Sequence, residues 1–211
     1  MEKLKKLAAE AACDYVKDGM IVGVGTGSTV KHFITKLAKE NKKVVVIPTS
    51  KETQRMLERH GFMIGSINEL VPDICVDGAD EVDPKKRLIK GGGGALTREK
   101  IIAYRAKKFV VIVDESKRVK HLGQTHPLPV EVLPFAYERV RKELEKHFKK
   151  VEKREFVTDN GNYILDCHGK IENPKKLEVK LNNTPGEVEN GLFTRSVYKV
   201  LIGTKKGLEK M

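Results

Sequence analysis

Short apolar runs rich in β-branched residues alternate with stretches of helical spacing through the first half of this chain. Strands that each hand over to a helix return parallel to one another, so the alternation predicts a mostly parallel sheet covered by helices. The spacing predicts helices over residues 3–17, 30–39, 51–60 and 98–108, and strands over 20–24, 44–47, 62–64, 74–76 and 109–113. From His126 the texture changes, with Pro127, Pro129 and Pro134 punctuating the chain. Strand 130–133, helix 137–148, strands near 153–158 and 163–167, helix 174–182 and a strand near 187–192 follow, with Asp159-Asn160-Gly161-Asn162 as the hairpin turn. That βαββαβ order builds a four-stranded sheet backed by two helices. A last strand at 199–202 is expected to rejoin the first sheet. The expected fold is therefore α/β: a Rossmann-like, mostly parallel sheet domain (1–125 plus 199–211) with an inserted smaller α+β, ferredoxin-like domain (126–198). A chain of 211 residues is long enough for both.

Charge narrows the ligand. Forty-one Lys and Arg against 29 Asp and Glu give a formal charge of +12, a field that attracts anions. The basic residues are spread along the chain, without a basic tail, zinc-finger spacing or aromatic RNA-binding signature, so a small anion is expected and nucleic acid is not. Cys13, Cys75 and Cys167 are far apart and form no Cys-x-x-Cys pair, which argues against a disulfide framework or a zinc site. The start reads as an amphipathic helix without a signal peptide, and no run reaches membrane-spanning length. A cytoplasmic protein with no membrane partner is expected.

Four segments can carry chemistry. The first, Gly23-Val24-Gly25-Thr26-Gly27-Ser28-Thr29, stands where a buried strand meets a helix. Helix-terminal N–H groups there suit an anion, and the hydroxyls of Thr26, Ser28 and Thr29 add donors. A dinucleotide site would want a glycine where Ser28 stands, and a nucleotide P-loop would want Gly-Lys-Ser/Thr, so a sugar phosphate fits better than NAD or ATP. A plain glycine-rich turn is the bland alternative. The second, Asp77-Gly78-Ala79-Asp80-Glu81, follows the strand Ile74-Cys75-Val76, at the edge where open α/β sheets bind ligands. Its carboxylates could grip sugar hydroxyls; a solvated acidic turn and a magnesium site are the alternatives.

The third is Lys90-Gly91-Gly92-Gly93-Gly94, leading through Ala95-Leu96-Thr97-Arg98 to Glu99. Four glycines in a row lose much entropy on folding, which points to a backbone that must approach a ligand or oxyanion closely. Glu99 near a helix start either complements the helix dipole or does chemistry. The fourth is Asp114-Glu115-Ser116-Lys117, where Lys117 either reaches the same cleft or is an ordinary loop lysine.

Taken in order, Gly-Thr-Gly-Ser-Thr, Asp-Gly-Ala-Asp-Glu, Lys-Gly-Gly-Gly, Leu-Thr-Arg-Glu-Lys, Leu-Pro-Val-Glu-Val and Thr-Asp-Asn-Gly-Asn resemble the A-type ribose-5-phosphate isomerases from about Leu4 to Gly203. The resemblance implies that Glu99 is the proton-transferring base, that Asp77, Asp80 and Lys90 assist it, and that no metal or other cofactor takes part. It implies substrate contacts at Thr26, Gly27, Ser28, Thr29, Asp77, Gly78, Ala79, Asp80, Lys90, Gly91, Gly92, Gly93 and Lys117. The family's N-terminal lysine aligns with Lys5 or Lys6. Gly94 departs from the pattern, which has alanine there. The implied activity is interconversion of ribose 5-phosphate and ribulose 5-phosphate, and a homodimer or homotetramer is expected. A sugar-phosphate sensor and a CoA-transferase-like enzyme are the competing readings; no helix-turn-helix segment precedes residue 20 to support the former.

Overall fold

The structure is a computed structural model that describes residues 1–195 and 197–211. Chain order is α1 (Glu2–Cys13), β1 (Ile21–Val24), α2 (Ser28–Lys39), β2 (Val45–Pro48), α3 (Lys51–Arg59), β3 (Met63–Ile64), β4 (Ile74–Asp77), β5 (Glu81–Val82), β6 (Leu88–Ile89), α4 (Leu96–Arg105) and β7 (Phe109–Asp114). It continues with β8 (Leu128–Val132), α5 (Tyr137–Leu144), β9 (Lys150–Val157), β10 (Tyr163–His168), α6 (Pro174–Asn182), β11 (Glu187–Asn190), β12 (Leu192–Phe193), β13 (Lys199–Thr204) and β14 (Gly207–Lys210). The chain divides into two compact units, Met1–Ala79 with Arg98–Lys117 and Ser196–Met211, and Asp80–Thr97 with Arg118–Arg195.

The first unit is built on a seven-stranded sheet in the order β14-β13-β7-β4-β1-β2-β3. All neighbours pair in parallel except β13 with β14. Its central strands β1, β4, β7 and β13 are near-continuous apolar runs because both their faces are covered. Val30, Phe33, Ile34 and Leu37 form the buried stripe of α2, and Ala8, Ala9, Ala12 and Cys13 that of α1. Two glycines let helices approach the sheet. A Cβ on Gly23 would lie 2.5 Å from Ile102 Cγ2 of α4, and one on Gly203 would lie 1.9 Å from the Leu4 carbonyl oxygen of α1. The last expected strand does rejoin this sheet, as β13 beside β7. Beyond it, β14 adds an antiparallel edge strand that the sequence pattern did not announce.

The second unit holds a four-stranded antiparallel sheet in the order β11-β8-β10-β9. Side chains alternate across it. Val130, Val132, Leu165 and Cys167 face one way, in one core with Val140 and Leu144 of α5 and Leu181 of α6. A small antiparallel sheet, β12-β6-β5, completes the unit. The expected strand over 187–192 is interrupted at Gly191, whose N–H donates to the Pro129 carbonyl at 2.8 Å while its own carbonyl accepts from Lys90 N–H at 2.9 Å. A Cβ there would meet the Lys90 carbonyl oxygen at 2.3 Å, so only glycine lets the chain pass from one sheet to the other. No helix among the described residues is long and apolar enough to cross a membrane.

Gly203→Ala should force α1 off β13, costing about 3 kcal/mol and lowering Tm by roughly 6–12 °C in a thermal melt. Burial pushes the Cys13 thiol up to about 12 and raises that of Cys167 well above its ordinary value. Both are expected to resist a disulfide-exchange reagent at about pH 8 in the native protein and to react once it is unfolded, as mass spectrometry would register.

Candidate active site

In the first unit, β7, β4 and β1 are consecutive parallel neighbours, so the loops after Asp114, Asp77 and Val24 leave from one edge. Asp77 is fully buried there. Its carboxylate occupies the space a side chain at residue 25 would need: a Cβ on Gly25 would sit 1.8 Å from Asp77 Oδ1. That oxygen accepts from the N–H groups of Gly78 at 2.7 Å and Thr26 at 3.2 Å. Gly25 thus lets the acid of one loop organise the next.

Thr26 turns its hydroxyl inward. Oγ1 lies 2.9 Å from Thr49 Oγ1, 2.8 Å from Ser50 Oγ and 3.0 Å from Thr53 Oγ1. Thr53 donates to the Gly25 carbonyl at 2.8 Å, and Ser50 caps α3 by accepting from Thr53 N–H at 3.0 Å. This hydroxyl cluster ties the turn to the start of α3. Gly27 caps α2 at a φ of +117°, a left-handed conformation suited to glycine, and no acidic residue stands in the helix's first turn. Gly27 and Ser28 are exposed and Thr29 is half-buried, so the amides and hydroxyls at this helix start can meet an anion.

Glu99 stands in the first turn of α4 and is 4% exposed. Ile102, one turn on, packs at Gly23, and Lys107 N–H beyond the helix donates to the Pro72 carbonyl, ahead of β4. The helix therefore runs against the strands, and its Glu99 end lies toward their C-terminal edge. Lys117 is half-buried in a 3-10 turn, Glu115–Lys117, that follows β7. Of the two N-terminal candidates, Lys5 pairs with Glu2 at 2.9 Å and Lys6 reaches Glu10 at 3.8 Å. Hydrogen bonds from Lys5 and then His32 hold Glu2 below the usual carboxylate range.

Asp80, Lys90 and Gly91–Gly93 belong to the second unit. Asp80 Oδ2 accepts from Gly92 N–H at 2.7 Å, and a Cβ on Gly92 would touch that carboxylate. Lys90 is 2% exposed, with Nζ 5.5 Å from the Phe193 ring centroid. Gly91 and Gly94 have φ of +102° and +79°, and Gly94 N–H closes a turn on the Gly91 carbonyl at 3.0 Å. The left-handed φ at Gly94 suits glycine, and a Cβ there would lie 2.3 Å from Phe156 Cε1. Glu81, by contrast, is structural: fully buried, it accepts from the N–H groups of Gly123, Thr125 and His126.

Residues without an assigned role in the sequence hold this loop. Pro129, Glu131, Arg154, Phe156 and Asp166 alternate with the core-facing positions of β8, β9 and β10 and so lie on the sheet face away from the helices. Glu131 is fully buried and accepts from Thr97 Oγ1 at 2.5 Å, Thr158 Oγ1 at 2.8 Å, Asn160 Nδ2 at 3.1 Å and Asn162 Nδ2 at 2.9 Å. Leu-Pro-Val-Glu-Val and Thr-Asp-Asn-Gly-Asn are therefore two halves of one bonded cluster. Arg154 reaches the carbonyls of Gly91 and Gly92. Among the described residues no group of three or more His, Cys, Asp and Glu is placed to hold a metal ion.

A parallel sheet whose C-terminal edge carries an anion-ready helix start and buried carboxylates defines an α/β enzyme for a small anionic substrate. The family described as Ribose 5-phosphate isomerase A (phosphoriboisomerase A) matches residues 45–207. Ribose-5-phosphate isomerase A of Thermococcus kodakarensis is 45% identical over all of this chain and 98% of its own length. That of Haemophilus influenzae is 50% identical over 97% and 96%. Among solved structures, ribose 5-phosphate isomerase A from Methanocaldococcus jannaschii superposes with a TM-score of 0.95 at 44% identity, covering 100% of this chain and 98% of that one. A D-ribose-5-phosphate isomerase in complex with phospho-erythronic acid gives 0.96 at 41%, with the same coverage. The chain belongs to the ribose 5-phosphate isomerase A family, a family of aldose–ketose isomerases.

Gly25→Ala would drive a methyl group into the Asp77 carboxylate. Isomerase activity is expected to fall by roughly 10²-fold or more, with a loss of about 1–3 kcal/mol in a denaturant titration.

Proposed function

We propose that this chain interconverts D-ribose 5-phosphate and D-ribulose 5-phosphate through an enediolate, with Glu99 as the single base and without a metal. The reaction is the aldose–ketose step of the non-oxidative pentose phosphate pathway. One observation carries the assignment of the base: Glu99 is a carboxylate only 4% exposed, in the first turn of the helix that follows the glycine run. A carboxylate so shielded can meet a substrate C–H bond in place of water, as a general base must.

In the open-chain aldose, Glu99 takes the proton from C2. The C–H electrons form the C1–C2 double bond and the aldehyde oxygen O1 becomes the oxyanion. The O2 hydroxyl proton passes to O1, the C2 carbonyl forms, and Glu99 returns its proton to C1. Lys90 and the N–H groups of the glycine run stabilise the charge on oxygen. Asp77 and Asp80 hold the sugar and exchange hydroxyl protons, including those moved in ring opening. Gly27, Ser28 and Thr29 receive the phosphate at the α2 start, with Thr26 as the structural anchor of that turn, while Gly78, Ala79 and Lys117 complete the contacts. The phosphorylated four-carbon acid bound by a 41%-identical relative supports a sugar-phosphate ligand. The same reading has the chain working as a homodimer or homotetramer in the cytoplasm.

Glu99→Gln should lower kcat by on the order of 10³-fold with little change in KM, and wild-type turnover should survive EDTA. Loss of activity on chelation, restored by a divalent cation, would contradict the metal-free scheme. Tight ribose 5-phosphate binding without any turnover would favour a sensor instead.

A further inference from the structure

We propose that Arg154 is a positioning residue for the isomerisation: by fixing two peptides of the glycine loop it sets Gly92 N–H on Asp80 and leaves Gly93 N–H for the reacting oxygen. The idea rests on the reading that Asp80 holds the sugar and that a glycine-loop amide meets the developing oxyanion. Arg154 Nη1 donates to the carbonyls of Gly91 at 3.0 Å and Gly92 at 3.1 Å. The rest of the guanidinium is held side-on by Asp166, through Nε to Oδ2 at 2.8 Å and Nη2 to Oδ1 at 2.5 Å. Asp166 lies on the neighbouring strand β10, and the two side chains are 22% and 16% exposed, so the pair is a fixed strut.

A trans peptide is planar, and its C=O and N–H point in opposite directions. Holding the Gly91 oxygen therefore turns the Gly92 N–H away from Arg154, and that N–H is found on Asp80 Oδ2 at 2.7 Å. Holding the Gly92 oxygen turns the Gly93 N–H away from the guanidinium in the same manner. Glycine peptides flip more readily than any others because both flanking residues tolerate either sign of φ. The cation also polarises both peptide groups, which strengthens their N–H donors. Arg154 thus acts on the reaction through the backbone, without touching substrate.

The test compares wild type with Arg154→Met, Arg154→Lys and Asp166→Asn in steady-state assays with ribose 5-phosphate, inhibition by phospho-erythronic acid, and thermal melts. Arg154→Met should lose on the order of 10²-fold in kcat with KM changed by less than about 3-fold, and inhibitor affinity should fall with kcat. Arg154→Lys, keeping a charged donor, should recover about 10-fold of the loss, and Asp166→Asn should lower kcat by about 10-fold at unchanged KM. Wild-type kcat in Arg154→Met overturns the proposal. So does a fall in kcat that tracks Tm and is not relieved in Arg154→Lys. If Arg154→Met does not fold, Asp166→Asn decides, and wild-type kcat there is the overturning result. Absence of turnover in the wild type would instead sink the functional reading beneath it.

Discussion

Parallel pairing of β7, β4 and β1 is the constraint on which the first unit depends. Parallel neighbours must be joined by crossovers, so their C-terminal ends, and the loops that follow, gather on one edge. Three loops converging there need room, and the missing side chain of Gly25 provides it. Asp77 fills the gap and draws the amides of two loops onto one oxygen. The acid is thereby part of the scaffold as well as a candidate for the chemistry.

The second unit meets a different constraint. Its antiparallel sheet has helices on one face only, and the other face carries the polar Glu131, Arg154 and Asp166 beside Pro129 and Phe156. That face grips the chain between Gly91 and Thr97 by hydrogen bonds. Burying the Glu131 carboxylate is tolerable because four neutral donors, from Thr97, Thr158, Asn160 and Asn162, surround it. A run of four glycines, the most flexible segment in the sequence, is so held in one shape by its neighbours.

Long apolar runs such as Phe109–Val113 were legible in the sequence because that stretch, buried on both faces, has no polar positions to blur it. The α2 helix was legible from its 3-4 spacing, and only its first two residues were missed, because Ser28 and Thr29 are polar and exposed or half-buried. The two-residue strands β5, β6 and β12 were not legible, since two residues carry no period. α1 stops at Cys13, four residues short of its expected end, where the chain turns so that Asp18 can cap Lys43 N–H at 2.8 Å. The motifs around Asp77 and Gly91 stood out as local clusters of unusual residues. Arg154 did not, because an arginine in a charged strand looks like any solvated residue until its cross-strand neighbour is known. Thr26 shows the converse: its type marked a donor, and only the tertiary contacts reveal that its hydroxyl faces Thr49, Ser50 and Thr53.

The packing of α1 on Gly203 has a consequence for the order in which the unit folds. Helix α1, Glu2–Cys13, finds part of its seat only on β13, Lys199–Thr204, far along the chain from it. Until that strand is in place, β7 has no partner on one side and the apolar flank of α1 has only α2 and β7 to cover it. The β7 edge of the sheet therefore stays open until β13 docks, and a contact of long sequence separation closes the unit.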